Sequence, residues 1–561
     1  MRLRISGLVL ALALMTAGCA GHENAAADSL QGVFTKNGLV VTTEKAVAAK
    51  DVRLSIDGNI QQDKGKMIGE RTLLFEGAWQ AGSKYEVKMK GNIWSDVAPS
   101  RPGILVGNVV KLGEFEDFPT INESSTPVYD DAAITPDGKY IALASYDNKV
   151  YVYDRTGNKL WDYGIPNGTP ISAVFSSDGM VLFIGEASAD ANLYAFDTVS
   201  GKQLWKYSFS PIIGNGISQN PSNRPKVRNL AVSGNMIVAG SEFVQRVVEK
   251  DGEKVVVTNP TQSILMAFDG KTGNRLWQYP ASGVMDTTIS KITVSADGQK
   301  VLFANYIHAS PPSIDTQEYP DGVIRLINGK TGELAGSYSL KPNRPIFKFV
   351  GINEGIQISP NGKYAAVFIG DNRGMLFDLS EIDLDKKSGD IKLAWLEQVS
   401  KIIEVSGVPV YASGNVARVR DDGTVYFMTS ATYMADKSFS LAPSFSHPDA
   451  TTVFAYDRSG TVLWKWQTEG GLGKARFSAD SRYMLAGIYH NYVARKKERS
   501  GLYCLDLQAT GQDKLVWFYP TSGVAICGNI AADGTTIAGS ESPLRREDGT
   551  LTGEHRLHIL Q

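Results

Sequence analysis

The chain has 561 residues, of which 43% are hydrophobic and 21% charged, and its formal net charge is -2. It is long enough for more than one domain, and its near-neutral balance removes the main electrostatic argument for nucleic-acid binding. The 56 Gly and 23 Pro, with many Asp-Gly and Asn-Gly steps, point to a turn-rich chain of strands.

Arg2 and Arg4 precede a short apolar run, Ile5 to Met15, that ends in Ala17-Gly18. A run this short reads as a signal peptide over residues 1–18 and not as a spanning helix. The Thr16-Ala17-Gly18-Cys19 sequence resembles a bacterial lipobox, with Thr16 where that family prefers Leu. The resemblance implies that Cys19 is lipidated and becomes the mature N-terminus; ordinary cleavage at another site is the alternative. Ala20, in place of Asp, resembles lipoproteins sorted to the outer membrane of a two-membrane bacterium, on its periplasmic or surface face. Residues 19–29 would then be a tether.

Residues 30–106 contain short strand-like runs at Leu39 to Thr42, Val52 to Ile56, Thr72 to Phe75 and Tyr85 to Lys90. The Leu74-Phe-Glu-Gly and Gly82-Ser-Lys-Tyr85-Glu-Val87 stretches resemble the C-terminal half of bacterial immunoglobulin-like modules. The expectation is a small β-sandwich, whether a spacer or a binder.

From about residue 127 one pattern recurs, clearest in Ala267-Phe-Asp269-Gly-Lys-Thr-Gly273-Asn-Arg-Leu-Trp277. Other copies end at Trp161, Trp205, Trp464 and Trp517; one reaches Trp395 across an insertion, and one has Gly336 in place of Trp. Each copy is a hairpin: alternating residues lead to Asp, Asp to Gly is the turn, and the next strand carries the Trp. Trp161, Trp205, Trp277, Trp395, Trp464 and Trp517 are therefore read as structural residues docking neighbouring sheets. A second hairpin lies upstream of each, at turns such as Ser177-Asp178-Gly179, Ala296-Asp297-Gly298 and Pro360-Asn361-Gly362. Two hairpins make one four-stranded propeller blade.

Units start near Pro127, Thr169, Arg224, Asp286, Glu354, Ala412, Gly470 and Gly523, making eight. The last ends one strand short, and residues 107–118 look like the missing outer strand. Pairing the two ends would remove an exposed sheet edge. The pattern resembles the pyrroloquinoline-quinone-type propeller repeat over residues 107–561. That resemblance implies an all-β fold, an eight-bladed propeller closed by N- and C-terminal strands.

In such a blade the tight Asp-Gly and Thr-Gly turns fall on one face of the disc, and the long connections crowd the other. That crowded face is the expected binding surface. Arg495, Lys496, Lys497 and Arg499 on one long loop are either a solvated tip or a patch for an anionic partner. Arg228, Lys291, Arg418, Arg420 and Lys474, in or beside innermost strands, are read as candidates to line the central channel and meet an anionic ligand.

Quinoprotein dehydrogenases share this repeat and use a vicinal Cys pair, a Ca²⁺ and a catalytic Asp. Here Cys504 and Cys527 lie 23 residues apart, and no catalytic motif stands out. The two cysteines read as buried free thiols or as a disulfide between neighbouring blades. His555 and His558 are offset by three residues on a strand, a spacing that points them to opposite faces. The sequence favours a noncatalytic envelope lipoprotein that scaffolds a protein partner, with no cofactor and no nucleic acid. In anchor and repeat it resembles the propeller lipoprotein of the outer-membrane-protein assembly machinery. A quinone- and Ca²⁺-dependent dehydrogenase with a divergent site, and a binder of glycan or another small ligand, are the alternatives.

Overall fold

Each repeat turns back on itself twice, and its alternating residues give both faces of the resulting sheet something to bury. In the computed structural model the repeats accordingly form four-stranded antiparallel sheets. The structure describes residues 30–560 apart from 36–37, 44–46, 63–64, 70–71, 78–79, 81, 98–105, 114–131, 146, 217–223, 246, 252–253, 259, 307–320, 344–350, 353–354, 387–388, 435–445, 469–471, 489–500, 522, 533, 535, 543, 546–550 and 553–554. The stretch expected to be a signal peptide, Cys19 and the expected tether lie outside the described residues.

In the Trp205 sheet the strands Thr169–Phe175, Val181–Ala187, Asn192–Asp197 and Gln203–Ser208 pair in chain order from the ring axis outward. The second strand is buried throughout and the fourth is largely exposed, as expected of a radial sheet with neighbours on both sides. The sheets carrying Trp161, Trp277, Gly336, Trp395, Trp464 and Trp517 repeat this order.

The closing sheet takes Val524–Ile530, Ile537–Ser542 and His555–Leu560 from the end of the chain. Its outermost strand is Val106–Gly113 from far upstream, antiparallel to the last, with Leu557 opposite Val110 and His558 opposite Val109. The outer strand thus overlaps the 107–118 stretch that the pattern selected and begins one residue earlier, at Val106; residues 114–118 are outside the described set. Neighbouring sheets touch in chain order, and the closing sheet touches the Trp161 sheet, where Ala532 N donates to Pro136 O at 3.2 Å. The ring is closed.

Residues 30–97 form two further four-stranded sheets. One orders Leu30–Thr35, Gly38–Thr43, Thr72–Glu76 and Lys66–Gly69; the other Asn59–Ile60, Val52–Ile56, Lys84–Met89 and Asn92–Val97. The four strands at the sheet edges are the ones that the sequence pattern does not show. Val41, Leu54, Leu73, Phe75 and Val87 share a core between the two sheets. Period-two alternation turns Val40 and Leu74 the other way, and they pack against Leu502, Trp517 and Tyr519 of the ring.

Candidate functional site

One face of the ring is committed to holding it together. Asp197, Asp269 and Asp457 accept hydrogen bonds from the backbone and hydroxyl of Ser200, Thr272 and Ser459, which closes each outer turn. The next glycine takes a positive φ, +68° at Gly201 and +72° at Gly273. The preceding sheet's tryptophan lies on that glycine: a Cβ on Gly201 would come within 2.7 Å of the Trp161 ring, and one on Gly273 within 2.7 Å of Trp205. The indole N–H then donates to a turn carbonyl. Trp161 bonds Thr198 O at 2.8 Å, Trp205 bonds Gly270 O at 2.8 Å, Trp277 bonds Gly329 O at 2.7 Å and Trp395 bonds Arg458 O at 3.1 Å. Glycine is needed here both for its φ and for the close approach.

Three positions depart from this scheme, each for a local reason. Trp464 lies under the Lys514 ammonium, 3.7 Å from the ring centroid, and Lys514 donates to Ala509 O. Trp517 meets no Asp-to-Gly turn, because the closing sheet's outer hairpin is divided between distant parts of the chain. Val40 and Leu74 of the sandwich cover it instead, and its N–H has no acceptor among the described residues. Where Gly336 stands in place of Trp, the insertion before Trp395 fills the wedge. Ile382 and Ile391 lie where a Cβ on Gly336 would reach, and Gly389–Asp390 pair in parallel with Gly336–Ser337.

The opposite face carries the long connections. Three project as hairpins: Val247–Asp251 with Lys254–Thr258, Ile403–Val405 with the start of Val408–Val419, and Leu544–Arg545 with Leu551–Thr552. The loop bearing Arg495, Lys496, Lys497 and Arg499 lies outside the described residues, as do 307–320 and 435–445.

Buried acids, which the sequence reading did not single out, lie at the base of this face: Glu242 and Glu541 at the roots of two of the hairpins, and Glu186 at a short turn. Glu186 accepts from Ser188 Oγ at 2.6 Å, Asn192 Nδ2 at 2.5 Å and Tyr194 OH at 2.9 Å, and burial raises its pKa. Glu242 pairs with Lys226 at 3.5 Å and accepts from Ile289 N of the next sheet at 3.3 Å. Glu541 accepts from Gly523 N at 2.6 Å and from His558 Nε2 at 2.8 Å. With Nε2 donating, His558 Nδ1 is the acceptor for Tyr519 OH at 3.0 Å. The recurrent Gly185-Glu186, Ser241-Glu242 and Ser540-Glu541 pairs, at one position in their units, were the available signal. A buried carboxylate with several donors fixes the backbone around it.

The expected channel residues separate into two groups. Arg228 is exposed, and Lys291 and Lys474 are half-buried, in or beside the first strands of their sheets. Arg418 does not face the channel: its Nε donates to Ser481 Oγ at 2.8 Å, its Nη2 to Ala479 O at 3.3 Å, and its guanidinium lies over Phe477. Burial at that sheet-to-sheet contact pushes its pKa down to about 10. Arg420 is also removed from the channel, next to the turn between the first two strands, where it pairs with Asp422 at 3.6 Å. Cys504 is a buried free thiol, and the Cys527 side chain is outside the description. Among the described residues no three His, Cys, Asp or Glu side chains are placed to share a metal ion, and no helix is long and apolar enough to cross a membrane.

The family model described as outer membrane protein assembly factor BamB matches residues 146–433, just over half of the chain. The chain belongs to this family. The matched segment contains the docking residues Trp161, Trp205, Trp277 and Trp395 together with the exceptional Gly336. Among solved structures, BamB from Moraxella catarrhalis is 14% identical, with 82% of this chain and 99% of that one covered at a TM-score of 0.44. The Dos1 propeller is 12% identical, covering 72% and 86% at 0.42. The C-terminal WD40 domain of Sif2 is 10% identical, covering 81% and 98% at 0.45. No curated protein sequence matches the chain.

Proposed function

We propose that this protein is a noncatalytic lipoprotein of the cell envelope whose eight-bladed ring holds a protein partner on its long-loop face. Its acyl anchor is on Cys19, in the outer membrane, and the sandwich of residues 30–97 braces the ring where its two ends meet. The observation that carries the reading is the division of labour between the faces. One is occupied by tryptophan-to-turn docking, whereas the other presents projecting hairpins on roots made rigid by buried carboxylates. Membership in a family described as an outer membrane protein assembly factor supports the envelope location and a scaffolding role.

The test is photo-crosslinking in intact envelopes from probes placed on the hairpin Val247–Asp251 and on the loop 489–500. Discrete crosslinked partners, lost when 489–500 is replaced by a short Gly-Ser turn, are expected. Equal crosslinking from probes on the Asp-to-Gly turns of the other face would overturn the face assignment. Mass spectrometry of the N-terminal peptide tests the anchor, which Cys19→Ala must abolish.

A further inference from the structure

The wedge between the Gly336 sheet and the Trp395 sheet is filled by the insertion only beside Gly336. Past that point lies a cavity of about 460 Å³, lined by every residue from Ser337 to Lys341. Side chains alternate between the faces of a sheet, so an unbroken run of lining residues places the cavity along the edge of this outermost strand, Leu334–Leu340. Met375 and Leu396 of the next sheet form its far wall.

The edge is bonded at both ends of the cavity. Ser337 O accepts from Ile391 N at 3.0 Å, and Lys341 O accepts from Arg373 Nη2 at 2.6 Å. Main-chain groups two residues apart point the same way, so Ser339 N–H and C=O face outward between these two bonds. Among the described residues neither has a partner, and nor does Lys341 N–H. Asp371 is buried and holds the Arg373 guanidinium through Nε at 3.0 Å and Nη2 at 2.7 Å. Nη1 has no partner among the described residues, and Arg373 lines the cavity. The gap in the pairing is thus one strand wide, with a fixed cation at the end toward which the strand runs.

We propose that this gap binds the carboxy-terminal end of an extended peptide lying parallel to the strand. Gly389–Asp390 already pair in parallel with Gly336–Ser337, and the peptide would continue that register. Its third-last carbonyl would accept from Ser339 N–H, and its last N–H would donate to Ser339 O. The carboxylate would then meet Lys341 N–H and Arg373, a charge-assisted pairing that an antiparallel peptide could not make. In this register the last side chain falls beside Leu340, which shares a buried cluster with Met375, so an apolar last residue fits. The penultimate side chain falls beside Ser339, whose Oγ donates to Asp321 at 2.9 Å, so a basic residue fits there. The inference is independent of the partner proposed for the long-loop face.

Fluorescence polarisation on the full chain, with fluorescein-labelled Gly-Val-Lys-Leu as free acid and as carboxamide, tests it. Saturable binding of the acid below about 1 mM is expected, with the carboxamide at least about tenfold weaker. Ser339→Pro removes the outward N–H without breaking a ladder bond and should weaken binding about tenfold, whereas Ser339→Ala keeps that N–H and should bind like the parent chain. Arg373→Gln should bring the acid down to the level of the carboxamide. Replacing 489–500 by a Gly-Ser turn should leave binding unchanged; loss of binding there would move the peptide to the long-loop face and overturn the proposal. Equal affinity for acid and carboxamide, or no saturable binding of the acid at about 1 mM, also overturns it. So does unchanged binding in Ser339→Pro with a native circular-dichroism spectrum. Ser339 is exposed, so that variant remains informative even if Arg373→Gln, which strands the buried Asp371, fails to fold.

Discussion

Replacing Trp277 by alanine removes a side chain that is 6% exposed and wedged between two sheets. It also leaves Gly329 O without the indole N–H that now lies 2.7 Å away. A buried Trp-to-Ala change costs about 3–5 kcal/mol when the cavity cannot collapse. Both walls here are strand ladders, which limits relaxation, so the upper half of that range is expected. Trp277→Phe keeps most of the ring contact and loses the hydrogen bond; the expected loss is about 1–2 kcal/mol. Urea unfolding followed by far-ultraviolet circular dichroism measures both, using the first transition if the ring melts in stages. A loss below about 1 kcal/mol in Trp277→Ala would refute the view that the indole docks the sheets.

Gly332→Ala should be destabilising by about 1–3 kcal/mol, because φ there is +75° and the new Cβ would come within 2.8 Å of Trp277 Cβ. Combined with Trp277→Ala its cost should shrink, a coupling that a double-mutant cycle reads. His558→Ala removes one of the donors to the Glu541 carboxylate and should cost about 2–4 kcal/mol, with His558→Gln recovering part of it in the same unfolding assay. Leu74→Asp places a carboxylate against Trp517 and should loosen the sandwich from the ring, seen as faster proteolysis of residues 30–97 and dye binding by the exposed indole site. Acid should weaken the ring. Hydrogen bonds from Ser200 and Thr272 hold Asp197 and Asp269 below the ordinary carboxylate range. Their contribution is therefore full above the unfolded value near about 4 and is lost as pH falls through the folded one. Burial raises Glu186 and Asp371 and acts in the opposite direction, but the depressed turn carboxylates recur around the ring. A melting temperature that rises on acidification from pH 5 to pH 3 would contradict this sign.

The repeat was legible because both of its components are local. Asp-to-Gly turns and period-two strands announce themselves within about ten residues, and the Trp at a constant offset marks the docking surface. Even the closing pair of strands could be inferred, since the last unit lacked one strand and an unassigned strand lay upstream. The loop roots were harder to see: Glu186, Glu242 and Glu541 look like surface acids until their sheets bury them. Arg418 was also hard to place: Ser481 and Ala479, which receive its hydrogen bonds, belong to the next unit more than sixty residues away.

The amino-acid sequence by itself determined the ring's strands and turns, the order of its sheets and four of the tryptophans that dock them, because those follow from backbone preference and side-chain alternation over short spans. Only the tertiary structure decided what covers Trp517, what fills the space beside Gly336 and where Arg418 finds its partners. Those outcomes depend on contacts between residues from about fifty to several hundred positions apart, which leave no periodic trace along the chain.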